Sequence, residues 1–209
     1  MIRFHPVDKA SRGVSDRRQA RVSVNERPTA RAHRELAAVL REGDLVIDAT
    51  AGNGHDTAFL AARVGDSGRV LAFDVQAEAI ASSRSRLEGL DLARRVSFIH
   101  GSHATLSDHV RPESAAAVVF NLGYLPGGDH ALITRAEETV LALGQALVAL
   151  RAGGLLAIVC YPGHPGGDEE SAAVVAWSKP LDNPRFETEI IRREDTLRPA
   201  PFLVLVRKI

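Results

Sequence analysis

Polar and glycine residues follow several short apolar runs of this chain, and their types suit the binding of a nucleoside. The first group contains Asp48, Gly52 and Gly54, after which Asp56 and Thr57 open a helical pattern. A glycine turn between a strand and a helix lets backbone N–H groups approach a ligand closely, and the helix N-terminus favours an anionic group there. This stretch therefore predicts a site for a nucleotide-like ligand, with a plain tight turn as the structural alternative.

A carboxylate ends the next apolar run at a separation that suits adenosine binding. Asp74 lies roughly 20 residues beyond the glycine turn, where an acid can accept hydrogen bonds from both ribose hydroxyls. Gln76 is close enough in sequence to contact the same ribose or the adenine. Thr57 stands where the dinucleotide fingerprint requires its third glycine, so the pattern disfavours NAD. A cap for the following helix is the structural alternative for Asp74.

The second informative stretch is NLGYLPGGDH, residues 121–130, which follows a fully apolar run. Burying Asn121 there is costly unless its side chain is hydrogen-bonded, and its carbonyl can accept hydrogen bonds from an amine substrate. Tyr124 can form an aromatic wall against a base or a cation. His130 can cap the helix that follows or take up a proton. A rigid loop with an asparagine cap is the structural alternative for the whole stretch.

Two further loops supply histidines. Ser102 and His103 follow the third apolar run, and His164 lies in the Gly/Pro-rich run YPGHPGG after the fifth. Several histidines near one another raise the alternative of a metal site. No close-spaced pair of metal ligands supports that alternative, and Cys160 lies within an apolar run, so we expect no metal.

The polar and glycine residues described above lie between predicted strands and helices that alternate along the chain. The sequence predicts a helix from Thr29, then five β-α units, then two strands with no helix-length segment between them. Such alternation predicts a parallel sheet with helices on both faces, and the final pair predicts an antiparallel return. Ligands of such sheets bind at the carboxyl ends of the strands, so the polar groups are expected at one edge. The predicted strands are residues 45–48, 69–74, 96–99, 115–120, 155–161, 186–192 and 202–207.

The composition is typical of a globular protein, except for one arginine-rich segment at the N-terminus. The 209 residues suit one domain, and acidic and basic residues balance at 26 each, so net charge indicates neither nucleic acid nor membrane. Residues 1–28 form an arginine-rich leader that we expect to be flexible, as a basic arm that contacts phosphates or as a solvated tail. The folded domain is expected over residues 29–209. One cysteine, no apolar run of membrane length and no signal-peptide pattern predict a cytoplasmic protein.

Five motifs, taken in order, resemble those of one known family. They are DATAGNGHDT at residues 48–57, FDVQ at 73–76, GSH at 101–103, FNLGYLPGGDH at 120–130 and YPGHPGG at 161–167. The chain is similar in these motifs to the YtqB/MnmM family of class I S-adenosylmethionine-dependent methyltransferases. That family is associated with methylating the aminomethyl group of wobble 5-aminomethyl-2-thiouridine in tRNA. The resemblance runs from about Thr29 to the C-terminus and leaves the leader outside.

The resemblance implies a Rossmann-like α/β fold with a seven-stranded, mostly parallel sheet whose last strand is antiparallel. It also implies S-adenosyl-L-methionine as the methyl donor. Asn121 takes the place of the first residue in the Asn/Asp-Pro-Pro-Tyr motif of amino-methyltransferases, although NLGY here lacks the two prolines. The donor-binding residues implied by the resemblance and by the patterns above are Asp48, Gly52, Asn53, Gly54, Asp56, Thr57, Asp74, Gln76, Ser102, His103, Asn121 and Gly123.

The expected reaction is N-methyl transfer to an amine of tRNA, with the anticodon stem-loop as the RNA partner. We expect Asn121 and Tyr124 to position the amine and His130 or His164 to assist removal of its proton; the identity of the base stays open. The alternatives are an rRNA or small-molecule amine acceptor and a non-catalytic nucleotide- or RNA-binding relative. A homodimer is compatible with the sequence, which does not specify an oligomeric state.

Overall fold

The computed structural model describes residues 26–123, 135–181, 183–193 and 199–209. In that part of the chain the helices are α1 (Pro28–Val39), α2 (His55–Val64), α3 (Ala77–Gly89), α4 (Ala136–Ala149) and α5 (Gly167–Ser178). The strands are β1 (Leu45–Asp48), β2 (Arg69–Asp74), β3 (Val96–His100), β4 (Ala115–Asn121), β5 (Leu150–Cys160), β6 (Phe186–Ile191) and β7 (Phe202–Lys208). Short 3-10 turns cover Ala93–Arg95, His103–Asp108 and Lys179–Leu181.

The seven strands form one sheet in the order β3-β2-β1-β4-β5-β7-β6. β1 to β5 pair in parallel, whereas β7 runs antiparallel to both β5 and β6. The predicted α/β sheet, mostly parallel with an antiparallel last strand, is therefore confirmed. The strand order reverses between β1 and β4, and in sheets of this kind ligands bind at such a switch point.

Helices cover both faces of the sheet, which explains why its central strands are apolar along their whole length. In β4 every residue before Asn121 is buried. One core cluster joins the sheet to α4 and α5, and includes Leu143 and Val174. A second cluster joins the other face to α1, α2 and α3, and includes Leu36 and Leu60. The two cores hold the carboxyl ends of the strands in a rigid frame.

β5 begins earlier than the sequence predicted. The expected start was residue 155, after a glycine turn, but the strand begins at Leu150. The register shifts between Ala115 and Ala117 opposite this start, and Gly153 has a φ of 73°. A local irregularity of this kind lets the chain leave α4 directly in a strand, with regular pairing from Leu155 onward.

The predicted leader, residues 1–28, lies almost wholly outside the described residues, so its boundary stays a prediction. α1 begins at Pro28, one residue before the predicted start. Proline suits the first helical position because its φ is already helical and its missing N–H would have no partner there. No helix within the described ranges is long and apolar enough to cross a membrane.

Candidate active site

A cleft of about 920 Å³ opens at the carboxyl ends of β1 to β5. Its volume lies in the range of about 300–1,000 Å³ that is typical of small-molecule sites. Polar residues that follow the parallel strands line this cleft, as the sequence predicted for one edge of the sheet. Nine of the predicted donor-binding residues are among them: Gly52, Asn53, Asp56, Asp74, Gln76, Ser102, His103, Asn121 and Gly123.

The other three predicted donor-binding residues, Asp48, Gly54 and Thr57, do not line the cleft. Gly54 belongs to the glycine turn, and Asp48 and Thr57 are hydrogen-bonded next to it. Thr57 Oγ1 donates to Asp48 Oδ2 at 2.6 Å, and the N–H of Thr50 donates to Asp48 Oδ1 at 3.1 Å. Gly54 precedes α2 with a φ of 77°. A Cβ on Gly54 would lie 2.8 Å from Ser83 Oγ and 2.9 Å from Ser83 Cα, so the turn packs closely on α3 only with glycine there.

Asp74 joins the glycine turn to the start of α3. Its Oδ2 accepts the N–H of Gly52 at 2.8 Å, and its Oδ1 accepts the N–H of Gln76 at 2.9 Å. A carboxylate oxygen has two lone pairs, so each oxygen can still accept one further hydrogen bond. The side chain is thus held at the cleft wall in an orientation that suits a pair of hydroxyl groups, such as those of a ribose.

His103 is buried near Asp74, at the start of a 3-10 turn. Its Nδ1 donates to the carbonyl of Ala49 at 3.2 Å, and its ring meets Phe120 edge to face. Burial lowers the pKa of His103, so the ring is neutral at pH 7. With Nδ1 donating, Nε2 is an acceptor, and it has no hydrogen-bond partner among the described residues. Ser102, the preceding residue, donates to Glu138 at 3.1 Å.

A hydrogen-bonded chain orients Asn121. Its Nδ2 donates to Asp56 Oδ2 at 2.8 Å, and Asp56 Oδ1 accepts from His33 Nε2 at 2.6 Å. The backbone N–H of Asn121 donates to Thr50 Oγ1 at 2.7 Å. Because the amide nitrogen is committed to Asp56, the side-chain oxygen of Asn121 is the atom left to accept a hydrogen bond from a ligand.

The carboxylates of this site have opposite pKa shifts. Burial raises the pKa of Asp56, but hydrogen bonds from His33 and Asn121 outweigh it and hold the pKa below its ordinary value. Complete burial, with the nearby charge of Asp56, raises the pKa of Asp48 to about 7. Asp56 therefore remains an ionised acceptor for Asn121, whereas Asp48 lies near the point of protonation at neutral pH.

Sequence patterns did not single out His33 as a site residue, and they placed Tyr161 only within the loop of residues 161–167 without a role of its own. His33 lies on α1, where its ring stacks on Phe59 with centroids 3.9 Å apart. The only local signal was a histidine on an otherwise apolar helix face. Tyr161 lines the cleft, and burial, with the charge of Asp56, raises the pKa of its phenol. A Cβ on Gly123 would lie 3.5 Å from the Tyr161 ring, so that ring covers the glycine.

The structure brings one of the predicted proton-transfer residues to the cleft. His164 lines it, and its Nδ1 donates to the carbonyl of Pro165 at 3.0 Å. Tyr124 and His130 lie outside the described residues, so their predicted roles stay predictions. Within residues 26–123, 135–181, 183–193 and 199–209, no group of three or more His, Cys, Asp or Glu side chains could hold a metal ion.

The raised pKa of Asp48 predicts a pH dependence of stability. The unfolded chain releases this proton near the ordinary value of 3.8, whereas the folded protein keeps it to about pH 7. The contribution of Asp48 to stability therefore falls as pH rises through this window, by up to about 1.4 kcal/mol per pH unit, and levels off above it. We expect the unfolding free energy of the wild type, minus that of Asp48→Asn, to fall by about 2 kcal/mol between about pH 5 and pH 7.

Urea unfolding over this pH range measures the difference. Asp48→Asn also alters the hydrogen bonds to Thr50 and Thr57, which shifts the free-energy difference by a constant amount. Such a shift does not change the slope of that difference against pH. Asp66→Asn is the control, because hydrogen bonding and charge from Arg95 lower the pKa of this exposed carboxylate, which therefore titrates below the window. A wild-type-minus-Asp48→Asn difference that is flat with pH would show that Asp48 is not protonated in the folded protein.

Similarity to known proteins identifies the family of this chain. The profile of the family described as "Putative rRNA methylase" matches residues 70–207. A curated relative from Arabidopsis thaliana, "tRNA (mnm(5)s(2)U34)-methyltransferase, chloroplastic", is 39% identical over 180 residues, which are 81% of this chain. The chain spans 65% of the length of that plant protein.

Solved structures match the chain over most of its length. A "putative rRNA-methylase" from Clostridium thermocellum superimposes with a TM-score of 0.85 and 39% identity, over 88% of this chain and 98% of that one. A "putative methyltransferase" from Streptococcus mutans, solved in complex with SAH, gives a TM-score of 0.80 and 37% identity, over 88% and 99%. An O-methyltransferase from Thermotoga maritima, 21% identical with a TM-score of 0.59 over 86% and 65%, shares the fold alone.

Proposed function

Because the chain belongs to the family described as "Putative rRNA methylase", we propose that it is an S-adenosylmethionine-dependent N-methyltransferase that acts on tRNA. The proposed acceptor is the aminomethyl group of wobble 5-aminomethyl-2-thiouridine. One observation carries the choice of an amine. Asn121 lies at the carboxyl end of β4 with its amide nitrogen held by Asp56, so its oxygen is available as an acceptor in the cleft that Asp74 also lines.

The residues present fit the donor. Asp74 has an acceptor lone pair left on each carboxylate oxygen, as two ribose hydroxyls require. The turn from Gly52 to Gly54 brings backbone close to the cleft at the N-terminus of α2, where an anionic group such as a carboxylate is favoured. Neutral His103 borders the same part of the cleft as Ser102. Asp74 thus suits the ribose of the donor, and the glycine turn suits its carboxylate.

Alignment is the main task of the chain in this reaction. S-adenosyl-L-methionine, when bound, supplies a methyl group that is already electrophilic because it is attached to a positively charged sulfur. The amine has to be neutral and aimed at that methyl group, and holding two reactants in line can contribute up to roughly 7–11 kcal/mol. We assign the aiming to the oxygen of Asn121, with the ring of Tyr161 as one wall and Tyr124, as predicted from sequence, as a further contact.

Proton removal is the second task. Aliphatic amines are mostly protonated at neutral pH, so a proton must leave the acceptor before attack. We call the part of the cleft lined by Asn121, Tyr161 and His164 the acceptor side. We propose that His164, or His130 as predicted from sequence, assists this step. Asp56 is unsuited as a base because its two oxygens already accept from His33 and Asn121.

The RNA partner and the assembly are also part of the proposal. The acceptor is a wobble nucleotide, so the anticodon stem-loop is the portion of tRNA that enters the cleft, and the arginine-rich leader is available to contact its phosphates. A homodimer is the proposed assembly. It is supported by Leu141 and Val148, two exposed apolar residues on one face of α4. Sedimentation velocity measures the oligomeric state directly. The cytoplasmic location predicted from the sequence stays a prediction.

Methylation of defined RNA tests the proposed function. The protein is incubated with donor carrying a labelled methyl group and with tRNA that either contains or lacks the 5-aminomethyl group, and nucleosides are then identified by mass spectrometry. We expect label only in the wobble nucleoside of the aminomethyl tRNA. Label in rRNA but not in tRNA would instead support the rRNA acceptor that the family description names. Donor binding without transfer to any RNA would support a non-catalytic relative.

A further inference from the structure

A second cavity, of about 510 Å³, lies beside the cleft, between α5 and the adjoining ends of β6 and β7. Pro162 lines both cavities, so the second begins where the acceptor side of the cleft ends. Asp74 and the glycine turn line the cleft only. A ligand that is longer than the cleft and enters it from the acceptor side therefore passes next to the second cavity.

The lining of this cavity combines an apolar floor with a cationic rim. Val175 and three alanines form much of the accessible floor, while Phe202, which also borders the cavity, is almost completely buried. Lys179, Arg192 and Arg193 line the cavity, and Asp168 is the carboxylate among its described lining residues. We call this cavity the basic groove. Its composition suits a ligand that carries negative charge on one side and flat or apolar groups on the other.

Asp168, the second residue of α5, lines the groove and also holds the turn that separates the two cavities. Its Oδ1 accepts the N–H of Gly163 at 3.0 Å. Gly163 has a φ of 92°, and a Cβ there would lie 3.7 Å from Pro199. The carboxylate thus holds the turn between cleft and groove, and among the described lining residues it faces the cations of Lys179 and Arg192.

Arg192 is placed before any ligand arrives. Its guanidinium carbon lies 3.8 Å from the centroid of the Phe202 ring, and that ring is almost completely buried. Stacking on the ring orders the side chain, while the residue as a whole is exposed. A guanidinium stays charged at physiological pH, and its planar donors match the oxygens of a phosphate.

We propose that the basic groove binds the sugar–phosphate backbone of a nucleotide next to the one that is methylated. This inference rests on the proposed function, in which the acceptor is RNA. The chain has 26 acidic and 26 basic residues, so attraction to RNA has to come from local cationic surfaces rather than from net charge. The groove places such a surface directly beside the acceptor side of the cleft, and its apolar floor can receive a ribose or a base.

Binding of a fluorescently labelled anticodon stem-loop over a series of salt concentrations tests the groove. We expect Arg192→Gln and Lys179→Gln each to raise the Kd for the stem-loop about 3- to 10-fold and to lower the slope of log K against log salt by about one. The affinity for S-adenosyl-L-methionine, measured by calorimetry, should remain that of the wild type. Arg84→Gln is the matched control, because Arg84 also lies over a phenylalanine ring, 4.9 Å from the centroid of Phe98, but lines neither cavity.

Unchanged Kd and salt slope in both groove variants would overturn the proposal. Lys179→Gln keeps the test decisive if Arg192→Gln disturbs the packing on Phe202, which a lowered melting temperature would reveal. Stronger competition by a polyglutamate peptide than by unlabelled stem-loop would assign the groove to an acidic protein and would also overturn it. Methylation by the wild type is a separate readout: weaker RNA binding by the variants with no methylation of tRNA would support the groove and refute the proposed acceptor.

Discussion

Replacing Asn121 with alanine is expected to lower kcat about 100-fold or more at saturating donor and tRNA, with little change in donor affinity. The substitution removes the oxygen proposed to aim the amine, and misplacing a reacting group by about 1 Å can cost roughly 100-fold in rate. It leaves Asp74, which is proposed to bind the ribose, untouched. Single-turnover methylation of aminomethyl tRNA measures the rate, and calorimetry with S-adenosyl-L-methionine measures the affinity.

The variant Asp56→Asn tests whether the orientation of the Asn121 side chain matters, because Asn121 itself remains in place. In the wild type, Asn121 Nδ2 and His33 Nε2 each donate to one carboxylate oxygen of Asp56. The amide of the variant has only one acceptor oxygen, so the two donors compete for it. We expect an intermediate loss of kcat, about 10-fold, because Asn121 is present but no longer held in one orientation. Asn183→Ala, an exposed asparagine remote from the cleft, is the control and should behave as wild type. Full kcat in Asn121→Ala would refute its role in positioning the amine.

The second large effect is expected at Asp74. Asp74→Ala should raise the Kd for S-adenosyl-L-methionine about 100-fold or more. Each hydrogen bond to a charged group contributes about 1.5–3 kcal/mol, so the loss of two ribose contacts costs at least about 3 kcal/mol. The variant also releases the N–H of Gly52 and thereby loosens the glycine turn. When donor is raised to saturation, kcat should recover to within a fewfold of the wild type, because Asn121 is unaffected.

Calorimetry on the two variants distinguishes donor and acceptor roles. Glu78→Gln is the control for Asp74, because this exposed carboxylate lies in the first turn of α3 but does not line the cleft. A donor affinity in Asp74→Ala equal to that of Glu78→Gln would show that Asp74 only supports the turn. A loss of donor affinity in Asn121→Ala as large as that in Asp74→Ala would place Asn121 in the donor site instead.

Local patterns were sufficient to place the residues that we propose bind the donor. Asp48, the glycine turn and Asp74 belong to one β-α-β unit, and β1 pairs with β2 in parallel from Leu45 to Asp48. Spacing along such a unit determines where its loops meet, so residue types and separations predicted the cleft edge correctly. The sheet followed from the same local periodicity, including the antiparallel β7, because too few residues separate β6 and β7 for a crossover helix.

The start of β5 shows how a local rule fails. Two glycines at residues 153 and 154 normally indicate a turn, and the strand was predicted to begin after them. Pairing of Leu150 with Ala115 of β4 extends the strand through that turn instead. Neighbouring strands supply hydrogen-bond partners that no pattern within the segment reveals.

The sequence by itself determined the fold class, the edge of the sheet that carries the site, and the glycine turn with Asp74. Only the tertiary structure decided how the proposed acceptor side is assembled. Asp56 is 23 positions from His33 and 65 positions from Asn121, and packing of α1 on the sheet brings the three together. The basic groove likewise combines α5, β6 and β7. Contacts between distant segments depend on how whole helices pack, which periodicity and spacing do not encode.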